Sequence, residues 1–377
     1  CPSISDTASF SPGQIPPGQG FQWSWYGRHR PLSTFGALHL PLPHPTSMKR
    51  HAWYTDHHHT DDGFRNPEAP PRDASAWEKA TFITRHTLGD QEHQPPTAES
   101  VDPRTLTPPD RGVRLTWLGH ATVLGQMPGY TWITDPVFTR WASPVPPFGP
   151  QRMSEVPLPV EDLPDLDLVL ISHDHYDHLD RTAVEQIDTI HRPLFVAPLG
   201  AARRLRTWGC SRVVSADWWH WTTDVGSTRR GSVTLHCLPA VHFSGRSLFD
   251  RNSTLWCSWL LEPSGDAPVV YFAGDTAYGR HFADVRDRIG APDVTLMPIG
   301  AYQPRSLMQA VHVSPEESVT AVEEVGTGHV LPIHWGTYNM GGEAVQDAAT
   351  DLQRALAPRN GTPQWHVLNP GGQVTVD

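Results

Sequence analysis

Short apolar runs alternate with amphipathic stretches along the chain from residue 114 onward. This alternation is typical of strands that are followed by helices covering a sheet, so the sequence predicts an α/β fold. The predicted strands are rich in β-branched and aromatic residues and cover residues 114–117, 132–134, 166–171, 233–238, 256–261, 269–273, 294–297 and 330–333.

Helix boundaries are clearest near the carboxyl end of the chain. Ser314 is followed by Pro315 and, three residues after the serine, by Glu317, which is the pattern of a capping box with proline in the first turn. Gly326 predicts the end of this helix. A final helix is predicted over residues 343–356, because Pro358 cannot continue it.

The amino-terminal part of the chain has a different composition. Residues 1–47 are rich in Pro, Gly and Ser without hydrophobic periodicity, which predicts a disordered or non-native extension. Residues 48–110 are interpreted as an extension packed on the main domain, and residues 111–377 as the main domain. Within the extension, the three adjacent histidines at 57–59 are predicted to form a solvated polar turn, because neighbours on a flexible segment cannot all face one ion.

The charge balance excludes one class of partner. Lys and Arg total 29 against 40 for Asp and Glu, and the net charge of −11 opposes non-specific binding to nucleic acid. The chain has no apolar run of about 18 residues, so no membrane-spanning helix is expected. We expect a cytoplasmic protein, with peripheral membrane contact or lipoprotein attachment through Cys1 as alternatives. The sequence indicates no oligomeric state.

Ligand-type side chains follow the predicted strands at the points where the strands end. Four come directly after strand 166–171 and three others each follow a later strand; they are His173, His175, Asp177, His178, His242, Asp275 and His334. In an extended chain, residues two apart point the same way, so the first two imidazoles can reach one ion. The sequence therefore predicts a two-metal site where the strand ends converge. Nitrogen and carboxylate ligands suit Zn²⁺, and also iron or manganese.

Motifs around these residues resemble the metallo-β-lactamase superfamily over residues 111–340. They are Gly119-His120-Ala121-Thr122, Thr134-Asp135-Pro136, the segment 172–178, His242, Gly274-Asp275-Thr276 and Ile333-His334-Trp335-Gly336. Ala142-Ser143-Pro144, Asp217-Trp218-Trp219, Pro298-Ile299-Gly300-Ala301-Tyr302 and Gly63-Phe64-Arg65-Asn66-Pro67 are similar to N-acyl-phosphatidylethanolamine-hydrolysing phospholipase D and its bacterial relatives. The resemblance implies a four-layer αββα sandwich.

The resemblance also implies roles for individual residues. One zinc ion would be held by His173, His175 and His242, the other by Asp177, His178 and His334, and Asp275 would bridge them. Tyr176 would lie beside the metals, and His312 matches a family histidine placed at the substrate phosphate.

Further residues are assigned from their positions around the predicted centre. Asp135, at a strand end, is expected to accept a hydrogen bond from a ligand histidine, and His120 is expected to play a similar supporting part. Arg305 and Tyr302 are candidate substrate-binding residues. Val311 is a departure, since the mammalian enzyme has glutamine before the histidine that matches His312.

These features predict a binuclear zinc-dependent phosphodiesterase of the phospholipase D type, in which a metal-bridging hydroxide attacks phosphorus. Asp177 and Asp275 would orient the nucleophile, and Tyr176 and His312 would complete the catalytic set. The substrate would be a small molecule or a phospholipid. A lactonase or other ester hydrolase of the same fold remains an alternative, as do a non-haem iron oxidoreductase and a metal-binding module without turnover.

Overall fold

Two mixed β-sheets form the centre of the molecule. The computed structural model describes residues 48–51, 55, 57–67, 75, 93–223, 232–359, 361 and 363–377. The predicted extension at residues 1–47 lies outside these residues. The strands, in chain order, are β1 (Lys49–Arg50), β2 (His59–Thr60), β3 (Gly63–Phe64), β4 (Val113–Gly119), β5 (Thr122–Met127), β6 (Tyr130–Thr134), β7 (Leu168–Leu170), β8 (Leu194–Pro198), β9 (Val213–Ala216), β10 (His220–Thr222), β11 (Val233–Leu238), β12 (Ser258–Pro263), β13 (Val270–Phe272), β14 (Val294–Pro298), β15 (His329–Ile333), β16 (Gln364–Trp365) and β17 (Gln373–Val376).

One sheet has the strand order β17-β4-β5-β6-β7-β8-β9, and the other has the order β1-β10-β11-β12-β13-β14-β15-β16. In each sheet an antiparallel half adjoins a parallel half, which comprises β6 to β9 in the first sheet and β13 to β16 in the second. Parallel neighbours bring their carboxyl ends to one edge, where ligands commonly bind.

Helices cover the outer faces of both sheets. They are α1 (Arg181–His191), α2 (Ala201–Thr207), α3 (His281–Arg288), α4 (Arg305–Met308), α5 (Pro315–Val325) and α6 (Asp347–Leu356), with short 3₁₀ turns at Pro103–Thr105 and Val160–Asp162. Asp180 caps α1 by accepting hydrogen bonds from the backbone of Thr182 and Ala183. This cap fixes the helix directly after the segment that carries four predicted ligands.

Alternate side chains of β7 pack into two different hydrophobic cores, because successive residues of a strand point to opposite faces of the sheet. Leu168 and Leu170 belong to the large core that contains side chains from both sheets. Val169 belongs to a second core together with Val184 and Ile187 of α1. Since α5 and α6 also contribute to the large core, the layers run helix, sheet, sheet, helix, which confirms the predicted αββα sandwich.

All eight strands predicted from the sequence are present, with ends that differ by at most two residues. The helix at Ser314 is also confirmed, with the capping box formed and Gly326 in the left-handed conformation at φ 82°. The last helix begins at Asp347 rather than at 343. Its predicted first residue, Glu343, instead accepts hydrogen bonds from the backbone nitrogens of Tyr302 and Gln303.

Described parts of the amino-terminal segment contact the sheets. β1 pairs with β10, and the side chain of Asn66 donates to the carbonyl of His242 at 2.7 Å. The prediction of a solvated turn at 57–59 is wrong for His58, which is 2% exposed and stacks on Trp218. The rings of His58 and His59 each hydrogen-bond one oxygen of the buried Asp217 carboxylate, at 2.7 and 2.8 Å.

Candidate metal centre

The predicted ligands converge at one edge of the sandwich. The segment 173–178 follows β7, His242 follows β11, Asp275 follows β13 and His334 follows β15. The loops after these strands meet because the two sheets face each other across the shared core. All seven predicted ligands are buried except His175, which is half-buried.

One group consists of His173, His175 and His242, whose ligand atoms all lie within 4.8 Å of one another. The His175 Nδ1 atom is 2.8 Å from His173 Nε2 and 3.2 Å from His242 Nε2. On its other side, the His242 ring donates from Nδ1 to the carbonyl of Val311 at 2.8 Å. A carbonyl only accepts, so this bond leaves Nε2 of His242 as a lone pair that faces the group.

A second group consists of His120, Asp177, His178 and His334. Asp177 Oδ2 lies 3.4 Å from His178 Nε2 and 3.6 Å from His334 Nε2. His120 Nε2 is closer, at 2.9 Å from the same oxygen, and its ring centroid lies 4.0 Å from that of His334, with the two rings tilted by 42°. The structure thus brings His120 among the ligand atoms, whereas the sequence placed it in a supporting position.

Asp275 lies between the two groups. Its Oδ2 atom is 3.1 Å from His178 Nε2 and 3.0 Å from His334 Nε2 in the second group, and 3.8 Å from His242 Nε2 in the first. A carboxylate in this position is within reach of both groups and could be shared by two cations.

The polar atoms of the cluster fit a cation better than they fit one another. Although His178 Nε2 and His334 Nε2 lie 3.1 and 3.0 Å from Asp275 Oδ2, neither nitrogen forms a hydrogen bond with a described residue, and the buried Asp275 Oδ1 also has no hydrogen-bond partner among them. In the first group, nitrogen faces nitrogen. Buried polar atoms are normally satisfied, and imidazole lone pairs that point at one another are satisfied by a shared cation. The residues present therefore fit a binuclear metal site of nitrogen and oxygen ligands.

Burial and charge set the protonation of the cluster. Desolvation holds the pKa of His173 and His242 well below the ordinary value, so both rings are neutral and able to bind a cation. Desolvation would also lower the pKa of His334, but the charges of Asp275 and Asp177 outweigh it and raise the pKa to about 9. The raised pKa means that Asp275 and Asp177 favour a positive charge at this position, which a bound cation would supply in place of the proton.

Asp135 stands behind the cluster at the end of β6. It is fully buried, and its Oδ2 atom lies 2.7 Å from His178 Nδ1. The same carboxylate accepts hydrogen bonds from the backbone nitrogen and the hydroxyl of Ser172, at 2.7 and 2.5 Å. Asp135 thus orients His178 and fixes the start of the ligand segment.

A cavity of 610 Å³ opens onto the cluster. Tyr176 and His312 both line it, together with Asp177, Asp275 and the histidines 175, 242 and 334. The His312 Nδ1 atom is 3.9 Å from Asp275 Oδ2, and desolvation lowers the His312 pKa to about 4, so the ring is neutral. The rest of the wall is largely apolar, with contributions from Phe243, Leu307, Met308, Val311 and Met340.

Arg305 and Tyr302, predicted to bind substrate, are not brought to this cavity. The Arg305 guanidinium donates to the His312 carbonyl at 3.0 Å and to Glu317 at 2.7 Å. The Tyr302 hydroxyl donates to Asp351. In this structure both side chains are engaged in holding neighbouring segments, and a role for Arg305 at the site is indirect, through the backbone of His312.

Sequence reasoning missed the residues that support and enclose the cavity after His242. Arg246 lies 3.7 Å above the Tyr176 ring and donates to the carbonyls of Asp174 and Leu179, each at 2.8 Å. Arg251, on the same loop, lines the cavity. Their position directly after a predicted ligand was the available signal, because segments that leave a metal centre commonly form the wall beside it.

Comparison with known proteins agrees with this geometry. A family model described as a beta-lactamase superfamily domain matches residues 131–335. The chain belongs to the metallo-β-lactamase superfamily. The match includes the segment 173–178, His242, Asp275 and His334.

Individual relatives differ in what is known of them. An uncharacterized protein of Mycobacterium tuberculosis is 39% identical over 253 residues, which cover 66% of this chain and 65% of that protein. N-acyl-phosphatidylethanolamine-hydrolyzing phospholipase D 1 of Caenorhabditis elegans is 38% identical over 241 residues, 62% of this chain and 66% of that enzyme. The chain thus aligns with just under two thirds of each of these relatives.

A similar fold occurs in a solved structure described as a possible metal-dependent hydrolase from Veillonella parvula, with a TM-score of 0.56. That protein is 18% identical to this chain, and the match covers 70% of this chain and 99% of the Veillonella protein.

No helix in the described part of this chain is both long and apolar enough to cross a membrane.

Proposed function

We propose that this protein is a binuclear zinc phosphodiesterase that hydrolyses N-acylated phosphatidylethanolamine or a closely similar phospholipid. The observation that carries the proposal is the Asp275 carboxylate, which lies between two ligand groups at the floor of a largely apolar cavity. Such a centre suits an anionic ester, and such a wall suits an acyl chain.

Each of the two groups of ligands would bind one cation. His173, His175 and His242 would hold one, and Asp177, His178 and His334 the other, with Asp275 shared. Two bound zinc ions would supply an activated water molecule and neutralise charge on the attacking and departing oxygens. The choice of zinc rests on the ligand chemistry, which iron and manganese also accept.

The protein's own residues position the substrate. His312 is neutral, and its ring lies beside Asp275, so Nδ1 or Nε2 can donate a hydrogen bond to a phosphate oxygen. Asp177 and Asp275 can each accept a hydrogen bond from the attacking water molecule and so orient it toward phosphorus. Tyr176 forms the adjacent wall, and Arg246 above its ring holds that wall in place.

The relatives support this substrate class. The worm enzyme is named for hydrolysis of N-acyl-phosphatidylethanolamine, and it is 38% identical to this chain over the aligned part. Val311 limits the transfer, because an apolar side chain lines the cavity where the mammalian enzyme has glutamine. We therefore expect the same bond to be cleaved with a less strict requirement for a polar headgroup.

The test combines metal analysis with a substrate panel. The purified protein should contain two equivalents of zinc and should hydrolyse N-acyl-phosphatidylethanolamine in detergent faster than a simple phosphodiester, a lactone or a β-lactam. Asp275→Asn should lower turnover by at least about 100-fold. The matched control Asp266→Asn, on an exposed loop, should retain full activity.

Other results would contradict the proposal. Preferred cleavage of the lactone would assign the site to the alternative ester class. Redox-active iron without ester hydrolysis would point to an oxidoreductase. Full activity in a folded Asp275→Asn protein would exclude the proposed centre itself.

A further inference from the structure

Large apolar side chains are exposed mainly at one place on the molecule. Among the described residues, six large hydrophobic side chains are clearly exposed, and four of them lie on two loops, at Val145, Phe148, Leu248 and Phe249. Leu248 and Phe249 are 93% and 96% exposed. Scattered exposed apolar residues are ordinary, but pairs at loop tips beside a functional cavity are not.

Both loops border the cavity. The first, the 142–150 loop, is closed by a hydrogen bond from Ala142 N to Pro150 O, and these two residues line the cavity. The second, the 244–252 loop, is closed by a hydrogen bond from Asn252 N to Ser244 O, and Gly245 and Arg251 line the cavity. The tips of both loops therefore project from the rim of the same opening.

Hydrogen bonds hold the apolar tips outward. In the 142–150 loop, Phe148 N donates to Val145 O at 2.9 Å, forming a tight turn with both side chains exposed. In the 244–252 loop, Asp250 Oδ1 accepts from the backbone nitrogens of Arg246 and Ser247, at 3.0 and 2.7 Å. These turns keep the tips from folding back onto the apolar wall of the cavity.

Cationic side chains lie at the bases of the loops. Arg140 precedes the 142–150 loop and is exposed, and Arg251 is exposed at the end of the 244–252 loop. Apolar tips with arginines behind them match the layers of a lipid surface, where acyl chains lie below the phosphates. A partner protein would instead be expected to require one continuous complementary surface.

We propose that the 142–150 and 244–252 loops are a membrane-docking rim, which inserts Val145, Phe148, Leu248 and Phe249 into the surface of a phospholipid bilayer. Docking would bring the cavity mouth against the lipid, and an acyl chain could then pass along Phe243, Leu307 and Met340 toward the metal centre. The entry of a lipid substrate into the cavity rests on the proposed function. Binding to the bilayer, however, can be measured without hydrolysis.

The test uses sedimentation of the full chain with large vesicles of diether phosphatidylcholine, which contain no N-acylated lipid. We expect the unmodified protein to bind, because a zwitterionic surface does not repel its net charge of −11. The double variant Leu248→Ser/Phe249→Ser should bind at least about tenfold more weakly, since both apolar side chains leave water on insertion. Val145→Ser/Phe148→Ser should show a similar loss.

Ile190→Ser is the matched control. Ile190 is 51% exposed near the end of α1, and neither that residue nor the tips line the cavity. This variant should bind vesicles as the unmodified protein does. Leu248→Ser/Phe249→Ser should keep the thermal midpoint of the unmodified protein, because both side chains are already almost fully in water, and the variants at the partly exposed Val145, Phe148 and Ile190 should lower it only slightly.

Three results would overturn the docking rim: no binding by the unmodified protein, equal loss in Ile190→Ser, or a dimer in solution that Leu248→Ser/Phe249→Ser converts to a monomer. The last result would assign the tips to contact between two copies of the chain. Vesicle binding with no hydrolysis of any phospholipid would retain the rim and reject the proposed function instead.

Discussion

The ring of His242 donates its Nδ1 hydrogen to the carbonyl oxygen of Val311 across 2.8 Å. The bond ties a predicted metal ligand to the backbone of Val311, a residue that lines the cavity. Because the backbone accepts the bond, support of the ligand does not depend on the side chain at 311, which faces the cavity.

Val311→Gln should therefore leave the zinc content at the unmodified level while changing substrate preference. We expect a cost of about 1–2 kcal/mol in the free energy of unfolding, because an amide replaces an apolar group at a buried position. KM for substrates with a polar headgroup should fall relative to KM for those without one. Val311→Ala serves as the control for loss of volume. A loss of zinc in the glutamine variant would contradict the backbone role.

Gly300 lies against the peptide that carries His334. A Cβ atom at residue 300 would lie 2.0 Å from the carbonyl oxygen of His334, so the two segments cannot both keep their positions. Gly300→Ala should lower the free energy of unfolding by about 2–3 kcal/mol and reduce the zinc content.

Gly328→Ala is the matched control for that substitution, since its added Cβ would meet only Asp293 O at 3.8 Å. Denaturant unfolding and metal analysis of both variants check the prediction. Equal free energies of unfolding for the two variants would show that the segments carrying residues 300 and 334 can move apart without a loss of stability.

Arg305 is expected to act on the position of His312 rather than on substrate directly. Arg305→Gln removes the ion pair with Glu317, which is about a third exposed, so the unfolding free energy should fall by only about 1 kcal/mol. Loss of the hydrogen bond to the His312 carbonyl should make His312 more mobile, which should lower kcat and shift the pH profile of the reaction. KM should change by less than about twofold, because Arg305 does not line the cavity. Arg354→Gln, at another surface pair, is the control. A large rise in KM alone would return Arg305 to a substrate-binding role.

The Asp217 carboxylate joins His58 and His59 to the segment between β9 and β10. Asp217→Ala should lower the unfolding free energy by about 2 kcal/mol, because two imidazole nitrogens lose a buried acceptor. Zinc content and turnover should be unchanged, since Asp217 does not line the cavity. Exposed Asp110→Ala provides the comparison. If Asp217→Ala lost one equivalent of zinc, the three side chains would be a metal site and not a hydrogen-bonded clamp.

Much of the fold and the convergence of the seven predicted ligands, though not the position of His120 among them, could be predicted from the sequence, for a physical reason. Strands such as β11 and the helix capped by Ser314 are encoded by local patterns of apolar residues and capping side chains. Strands β11, β13 and β15 run in the same direction, because β12 is antiparallel to both of its neighbours, so the ligands that follow these strands meet at one edge of the sheet. The convergence of His242 and His334 follows from that arrangement.

Other features depend on contacts that no local pattern encodes. The burial of His58 is determined by Asp217, which is 159 residues away in the sequence. Arg305 carries the charge expected of a residue that binds phosphate, but in the folded protein its guanidinium donates to Glu317 and to the His312 carbonyl instead. The outward tips of the 142–150 and 244–252 loops likewise depend on hydrogen bonds within irregular turns, which apolar periodicity does not predict.

The two sheets contribute separate parts of the ligand set. The seven-stranded sheet carries His173 to His178, whereas His242, Asp275 and His334 leave the eight-stranded sheet. Neither sheet alone holds all the side chains for two cations. During synthesis, a growing chain has no complete centre until residue 334 has emerged and the second sheet has closed on the first. The complete set of metal ligands therefore arises only when both sheets are present and packed together.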